Sequence, residues 1–290
     1  MKLFLLLFLP IPLFAMEHGI QQWDGTHYQK HSSPQVKTAL DLLETLELWR
    51  YPRILDVGSG SGQVMGTISK KLSCCQIKGI DANADMVKVA TANYHSHNLS
   101  FDHVDAQDSN ARFFTEYKNY FDLAFSSAVF LWIQKQQAAF DNIHTVLKPG
   151  GHMMVKTTAP RPKDHPLNRA LGMLAQNPKW AAFAQAYMSK PQSFPLSIDQ
   201  AHQIITPEKW TNIKITERGI NNPYNTKEEF CEWMQGWMGA MPAVAALEKE
   251  TQIELCQDFV TIYTQLPNTH NSEGKIIYSL PGILIEADKK

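Results

Sequence analysis

Basic residues never cluster in these 290 residues; 27 Lys and Arg face 28 Asp and Glu, a formal net charge of −1. A general polyanion binder needs a basic face or stripe, so nucleic acid is excluded as a partner and a small molecule is expected. Cysteine is sparse, and the four present, Cys74, Cys75, Cys231 and Cys256, form no C-x-x-C pair. No Cys/His spacing reads as zinc, and His27, His31 and His144 have no partner spacing either, so no metal is expected. The thiols read as buried apolar side chains in a reducing compartment. Internal repeats and low-complexity tracts are missing.

Long apolar stretches are missing too, with one short exception at the start. Leu3 to Leu9 is an apolar run behind Lys2, and with Ala15 as a candidate cleavage point it resembles a secretory signal. Pro10 and Pro12 break it, and it is too short for a stable membrane span. Leu13 stands where such a cleavage site prefers a small residue, and Met16 opens "MEHGIQQWDGTHYQKHSSPQ", an ordinary polar start for a soluble enzyme. Two readings of residues 1–15 stand: a targeting segment, or translation from a start upstream of a true one at Met16.

What is present is alternation. "SSPQVKTALDLLETLELW" reads as a helix with Ser33 as cap, Pro34 in its first position, Val36, Leu40, Leu43 and Leu46 on one face, and Pro52 as its stop. The strands "RILDVG", "QIKGID", "LSFDHVDA", "FDLAFSSA" and "HMMVKTT" alternate with helical patterns, which predicts a mostly parallel sheet covered on both faces. Past Thr158 the proline-rich "APRPKDHP" leads to helices near 166–190 and 199–205. A strand in "WTNIKITERGI" follows, then a helix in "KEEFCEWMQGWMGAM", another across 243–265, and one or two closing strands in "GKIIYSLPGILIEAD". Residues 16–158 therefore form an N-terminal arm and core, and 159–290 a helical elaboration plus closing strands of the same sheet.

Directly after the first strand, "DVGSGSGQ" sets Gly58, Gly60 and Gly62 in a turn that bares its backbone. In an open α/β sheet, ligands sit beyond the carboxyl ends of the strands. A dinucleotide fingerprint, G-x-G-x-x-G, would need its third glycine where Gln63 stands. Asp56 would also set negative charge beside a pyrophosphate, whereas a ligand carrying a sulfonium and an ammonium welcomes it. Asp81 ends the second strand, where a carboxylate accepts from ribose hydroxyls, and Asp105 follows the third; the three acids make one rim.

These residues resemble the class I S-adenosylmethionine-dependent methyltransferases through "ILDVGSGSG", "GIDANADMV", "FDHVDAQD", "FDLAFSSAVFLWI" and "VLKPGGHMMV", firmly over residues 23–158 and more loosely beyond. The resemblance implies a Rossmann-like, open, seven-stranded, mostly parallel α/β sheet with helices on both faces and S-adenosyl-L-methionine as cofactor. It implies that Asp56, Gly58, Ser59, Gly60 and Gly62 line the methionine end, that Asp81 holds the ribose, that Ala82 and Met86 flank the adenine, and that Asp105 and Ala106 meet its edge. Ser126 would sit at the mouth of the fourth strand, or be an ordinary strand-end serine. Because this cofactor is a cytosolic metabolite, a cytoplasmic protein is expected.

A closer likeness is to the subgroup that esterifies small carboxylic acids, the trans-aconitate and juvenile hormone acid methyltransferases. "YQKHSSPQ" is similar to their N-terminal arm, with Tyr28 and Gln35, and "FLWI" to their post-strand element, with Trp132. The malonyl-carrier-protein methyltransferases share much of this pattern, and a phenol or amine acceptor, or a cofactor-binding scaffold without transfer, stays open. For a carboxylate acceptor, Gln35 would donate a hydrogen bond and Trp132 would wall the pocket; a carboxylate is ionised at neutral pH, so no base is expected. Gln35 as a solvated first-turn residue and Trp132 as core packing are the plain alternatives. The stripe from Phe230 to Met238 is a pocket lid or simply helix core. Arg161 and Arg169 are candidates to clamp a second carboxylate.

Overall fold

Five short apolar strands, each returned by a helix, can bury both faces only as a parallel sheet sandwiched between helix layers. The computed structural model describes residues 23–189, 191, 193–239 and 241–290, so the apolar N-terminal run, its candidate cleavage point and Met16 lie outside the described residues. The N-terminal arm, α1 (Gly25–His31) and α2 (Ser33–Leu43), precedes β1 (Arg53–Val57), α3 (Gln63–Lys71), β2 (Gln76–Asp81), α4 (Ala84–Tyr94) and β3 (Leu99–His103). Then follow α5 (Arg112–Glu116), β4 (Phe121–Ser127), α6 (Gln136–Val146) and β5 (Leu147–Thr158). The second half holds α7 (Pro166–Leu174), α8 (Ala181–Ser189), α9 (Ile198–Ile204), β6 (Trp210–Glu217) and β7 (Ile220–Tyr224). It ends with α10 (Lys227–Met238), α11 (Pro242–Ala245), α12 (Lys249–Tyr263), β8 (Ile276–Leu280) and β9 (Gly282–Lys289).

The seven-stranded sheet runs β3-β2-β1-β4-β5-β9-β6, with β9 antiparallel to both of its neighbours and the first five strands mutually parallel. Strand order reverses between β1 and β4, which opens a crevice at their carboxyl ends. On one face Leu55, Val57 and Val155 pack against Phe113 of α5, Phe140 and Ile143 of α6, and Ala201 of α9. On the other, Ile54, Leu123, Phe125 and Met154 pack against Leu42 and Leu43 of α2 and Met65 and Ile68 of α3. A third core belongs to the elaboration, where α7, α8, α10, α12 and β7–β8 close over Trp180, Phe230, Trp233, Met234, Phe259 and Tyr278.

Several boundaries differ from the sequence reading. Ser32, not Ser33, precedes the first turn of α2, and its hydroxyl donates to Gln63 Oε1 at 2.9 Å instead of capping the helix. The helix stops at Leu43, before Leu46, because the chain then turns toward β1. "WTNIKITERGI" is two strands divided at Arg218–Gly219, and Pro281 likewise divides β8 from β9. As a result β7 and β8 pair in a separate two-stranded sheet, so only β6 and β9 of the closing strands join the main one. The helix expected across 243–265 is divided into α11 and α12. Cys74 is exposed, unlike the other three thiols, and Cys231 and Cys256 meet between α10 and α12. No helix among the described residues is long and apolar enough to cross a membrane.

Gly66 separates two opposing effects. A Cβ there would lie 2.2 Å from the Tyr94 ring, which is anchored through its hydroxyl by Gln29 Nε2 at 3.0 Å. Helix propensity alone predicts that Gly66→Ala stabilises α3 by about 1 kcal/mol. Overpacking predicts a net loss of about 1–3 kcal/mol, and it is expected to win; urea unfolding with an unchanged m-value reads the sign.

Candidate active site

The crevice is floored by the turn after β1, where Gly58, Gly60 and Gly62 take φ of +75°, +53° and +81°. Side chains avoid this region, but the three glycines are not equivalent. A Cβ on Gly58 would strike Val129 at 2.3 Å, and one on Gly62 would strike Phe101 at 2.8 Å and Ala90 at 2.9 Å. Gly62 thus performs the close helix–strand packing and begins α3. A Cβ on Gly60 would meet only Tyr28, at 3.6 Å, so this is the backbone that faces open space. The Gly58 and Ser59 N–H groups both donate to Ile80 O, at 2.8 and 2.9 Å, and fasten the turn to β2.

Three strand-end acids surround it. Asp56 is buried with no hydrogen-bond partner among the described residues; burial first, and then the nearby Asp81 charge, push its carboxyl up to about 7. Asp81 accepts from Gly60 N–H through Oδ2 at 2.8 Å and from Asn83 N–H through Oδ1 at 2.9 Å. Burial raises its pKa and these two bonds partly restrain the rise. Each Asp81 oxygen retains lone-pair capacity for a hydroxyl donor. Asp105 accepts from the Gln107 N–H at 3.0 Å and from Gln107 Nε2 at 3.2 Å.

Of the residues the sequence assigns to the cofactor, Gly58, Gly60, Asp81, Ala82, Met86, Asp105 and Ala106 border one cleft. Asp56, Ser59, Gly62 and Ser126 do not border it. Ser126 is buried and donates to Val57 O at 2.8 Å, tying β4 to β1. Asp56 and Ser59 are buried polar side chains, and neither makes a side-chain hydrogen bond with another described residue. The remaining border comes from Trp23, Tyr28, Asn83, Gln107, Val129 and Ile133, among others, which the sequence reading did not assign to the cofactor. Asn83 was detectable as the cap of α4, its side chain accepting from Met86 N–H.

A second cavity, with a volume of about 340 Å³, opens beside the cleft, and Trp23, Tyr28, Ala128 and Trp132 border both. That size suits a small organic ligand. Ala128 sits at φ +62°, uncommon for a residue with a Cβ, where the chain leaves β4. Gln35 lines this cavity and accepts from Trp233 Nε1 at 3.1 Å. An indole nitrogen only donates, so the amide oxygen faces it and the Gln35 NH2 is left as a donor. Trp233, Met234, Trp237 and Met238 of the α10 stripe line the cavity, while Phe230 is wholly buried core. Arg161 borders the cavity; Arg169 is exposed on α7 and does not. Among the described residues, no Asp, Glu, His or Cys borders this cavity.

A family model described as "Methyltransferase domain" matches residues 55–155, the segment that carries the turn and all three acids. Residues 55–155 are a methyltransferase domain of the class I, S-adenosylmethionine-dependent kind. A trans-aconitate 2-methyltransferase of Rhizobium leguminosarum bv. trifolii is 24% identical over 268 residues, covering 92% of this chain and 99% of the relative. One from Rhizobium etli is 26% identical over 269 residues, with the same coverage. Among solved structures, the YcgJ protein from Bacillus subtilis superposes with a TM-score of 0.57 at 17% identity, covering 88% of this chain and 99% of that one. A Haemonchus contortus phosphoethanolamine N-methyltransferase 2 in complex with S-adenosyl-L-methionine gives 0.56 at 16%, covering 91% of this chain and 56% of that one. The solved structures share the methyltransferase fold.

The turn fits such a cofactor on its own chemistry: a bare backbone at Gly60 and an unpaired buried carboxylate at Asp56 suit a ligand with an ammonium group. The raised pKa of Asp56 has two signed consequences. Above pH 7 the buried charge costs the cofactor-free protein stability, and the cost is relieved as pH falls through 7. Cofactor binding near pH 7 is therefore expected to release protons, and affinity to fall as the pH drops below 7. Asp56→Asn is expected to abolish the release, raise the apo melting temperature at pH 8 and weaken the cofactor about 10- to 100-fold. Calorimetry in buffers of different ionisation enthalpy reads this; an Asp56→Asn protein that still releases the same protons refutes it.

Proposed function

We propose that this methyltransferase esterifies a small carboxylic acid. The observation that carries the reading is the composition of the second cavity. It meets the cofactor cleft at Trp23, Tyr28, Ala128 and Trp132, yet among the described residues no Asp, Glu, His or Cys borders it to take a proton from a phenol or an amine. Its one amine, Lys156, has its pKa pushed down to about 8 by burial and by Arg218, and stays mostly protonated at neutral pH. An ammonium draws an anion rather than accepting a proton. A carboxylate needs no base, being ionised already. The similarity to trans-aconitate 2-methyltransferases, across 92% of this chain, supports the same reading.

In this reading the bound cofactor supplies an electrophilic methyl on a sulfonium. Asp56 faces its ammonium group, Asp81 accepts from the ribose hydroxyls, Ala82 and Met86 flank the adenine, and Asp105 with Ala106 meets the adenine edge. Gly58, Ser59 and Gly62 act indirectly, by shaping the turn that exposes Gly60. The NH2 of Gln35, oriented by Trp233, donates to the acceptor carboxylate. Trp132 packs edge-on against Trp23 with ring centroids 5.6 Å apart, and Trp23 against Tyr28 at 5.1 Å, forming an aromatic wall that keeps water from the junction. Catalysis is then largely positioning, with the attacking oxygen about 3–3.5 Å from the methyl carbon.

Incubation with S-adenosylmethionine and a panel of acids, followed by mass detection, is expected to show a methyl ester, and phenols and amines are expected to stay unmodified. Gln35→Ala and Trp132→Ala are each expected to lower turnover about tenfold or more, while cofactor affinity stays within about twofold. Variants that lose cofactor binding alone would contradict the assignment.

A further inference from the structure

Lys156, on the carboxyl half of β5, is 4% exposed and has no acid or carbonyl at its ammonium among the described residues. Other lysines with part-buried heads are matched: Lys78 to Asp102 at 2.8 Å, Lys148 to Asp122 at 2.5 Å, and Lys289 to Asn119 Oδ1 at 2.7 Å. The charge acting on Lys156 is Arg218, of the same sign, beyond the end of β6. Across from it on α2, Lys37 and Asp41 already pair at 2.6 Å, and Arg161 follows β5 on the cavity border. An ammonium with little access to water, beside another cation, is unfavourable unless an anion completes it.

Its place in the cavity says which anion. Lys156 borders the acceptor cavity and a second depression bordered also by Arg218 and Asn222, but it does not border the cofactor cleft. The oxygen that receives the methyl must lie at the cleft. Ser127 of β4 stands opposite Lys156 in the parallel register, and Asn222 borders both cavities with it. We infer that Lys156 anchors a second carboxylate of the acceptor, one that is not methylated, with Asn222 supplying a neutral hydrogen bond beside it. The inference rests on the carboxylate reading above and narrows it to diacids. Keeping the ion pair away from the attacking oxygen preserves that oxygen's nucleophilicity, while binding energy at the remote charge orients the molecule. Arg161 and Arg169 were the sequence's candidates for this role, but Arg161 is exposed and Arg169 lies off the cavity.

The test uses the full chain with adipate, monomethyl adipate and trans-aconitate, comparing wild type with K156M, K156Q and K156R. Wild type is expected to favour adipate over its monomethyl ester about tenfold or more in kcat/KM. K156M and K156Q are expected to raise KM for the diacids about tenfold or more, with kcat within about threefold and cofactor affinity unchanged, and K156R to restore most of the loss. KM for adipate is expected to rise above about pH 8 in wild type, as Lys156 loses its proton, and to stay flat in K156M. Without ligand, K156M is expected to melt about 2–4 °C higher, since it removes a buried charge. Unchanged diacid KM in K156M and K156Q, or equal losses for diacid and monoester, would overturn the inference. Failure of wild type to methylate any acid would instead refute the carboxylate reading. Calorimetry of adipate with the S-adenosylhomocysteine-loaded enzyme then decides Lys156 separately: binding lost in K156M supports an anion anchor, and equal or absent binding in both proteins overturns it.

Discussion

Two neighbouring carboxylates, buried Asp56 and half-buried Asp81, set the terms for the rest of this structure. Burial raises the proton affinity of both, the Asp81 charge raises that of Asp56 further, and only Asp81 receives backbone donors. Such a pair is unfavourable in isolation. It persists because the two strands that present it, β1 and β2, are locked in parallel register between two well-filled cores. The glycine turn is held from both sides, by Ile80 O on Gly58 and Ser59 and by Asp81 on Gly60. Rigidity there is what lets an unfavourable charge arrangement wait for a cationic ligand instead of rearranging to satisfy itself.

Gln63 shows how the rest of the enzyme is fastened to that turn. It stands where a dinucleotide fingerprint would require glycine, and it uses its amide on the N-terminal arm: Oε1 accepts from Ser32 Oγ at 2.9 Å, and Nε2 donates to Gln29 O at 2.9 Å. The departure from the glycine pattern is thus a tether. It sets α1 and α2 across the cleft, which brings Tyr28 over Gly60 and Gln35 against Trp233. The second cavity is consequently built mainly from parts outside the main sheet. Its apolar wall is the third core, assembled by α7, α8, α10 and α12, while Lys156, Thr157 and Thr158 of β5 and Tyr278 of β8 complete the lining.

That division explains what could be read in the chain itself. The first five strands, their order of helices and the rim of Asp56, Asp81 and Asp105 were legible because each depends on local pattern: a short apolar run, a turn, an acid at the run's end. Gln35 and Trp132 were legible through likeness, and both border the cavity. Ser126 looked like a ligand because its position is at a strand mouth, but which hydroxyl faces the cleft depends on the pleat and on a neighbouring carbonyl, Val57 O. Gly62 looked like part of the binding surface, yet its constraint is Phe101 and Ala90, two residues far away in sequence. Lys156 was illegible for a related reason. A lysine inside "HMMVKTT" is one charge in a strand, and its isolation follows only from the tertiary arrangement, in which the acid of α2, Asp41, is paired with Lys37.

Ala128 joins these threads. It takes a left-handed conformation at the end of β4, while its N–H donates to Lys156 O at 3.0 Å. Conformations of this kind cost on the order of 1 kcal/mol or more for a residue with a Cβ, and persist where surrounding contacts over-determine them. Here the contacts are identifiable. The reversal drives Val129 into the space that Gly58 leaves by lacking a Cβ, buries Phe130 completely, and swings Trp132 over the junction. Glycine would relieve the backbone strain at Ala128, but it would also loosen a segment that borders both cavities and hydrogen-bonds to the backbone of Lys156. Local strain, a missing Cβ at Gly58 and the aromatic wall are therefore a single constraint: the strand that ends at the cofactor must turn within one residue in order to place the acceptor's wall beside it.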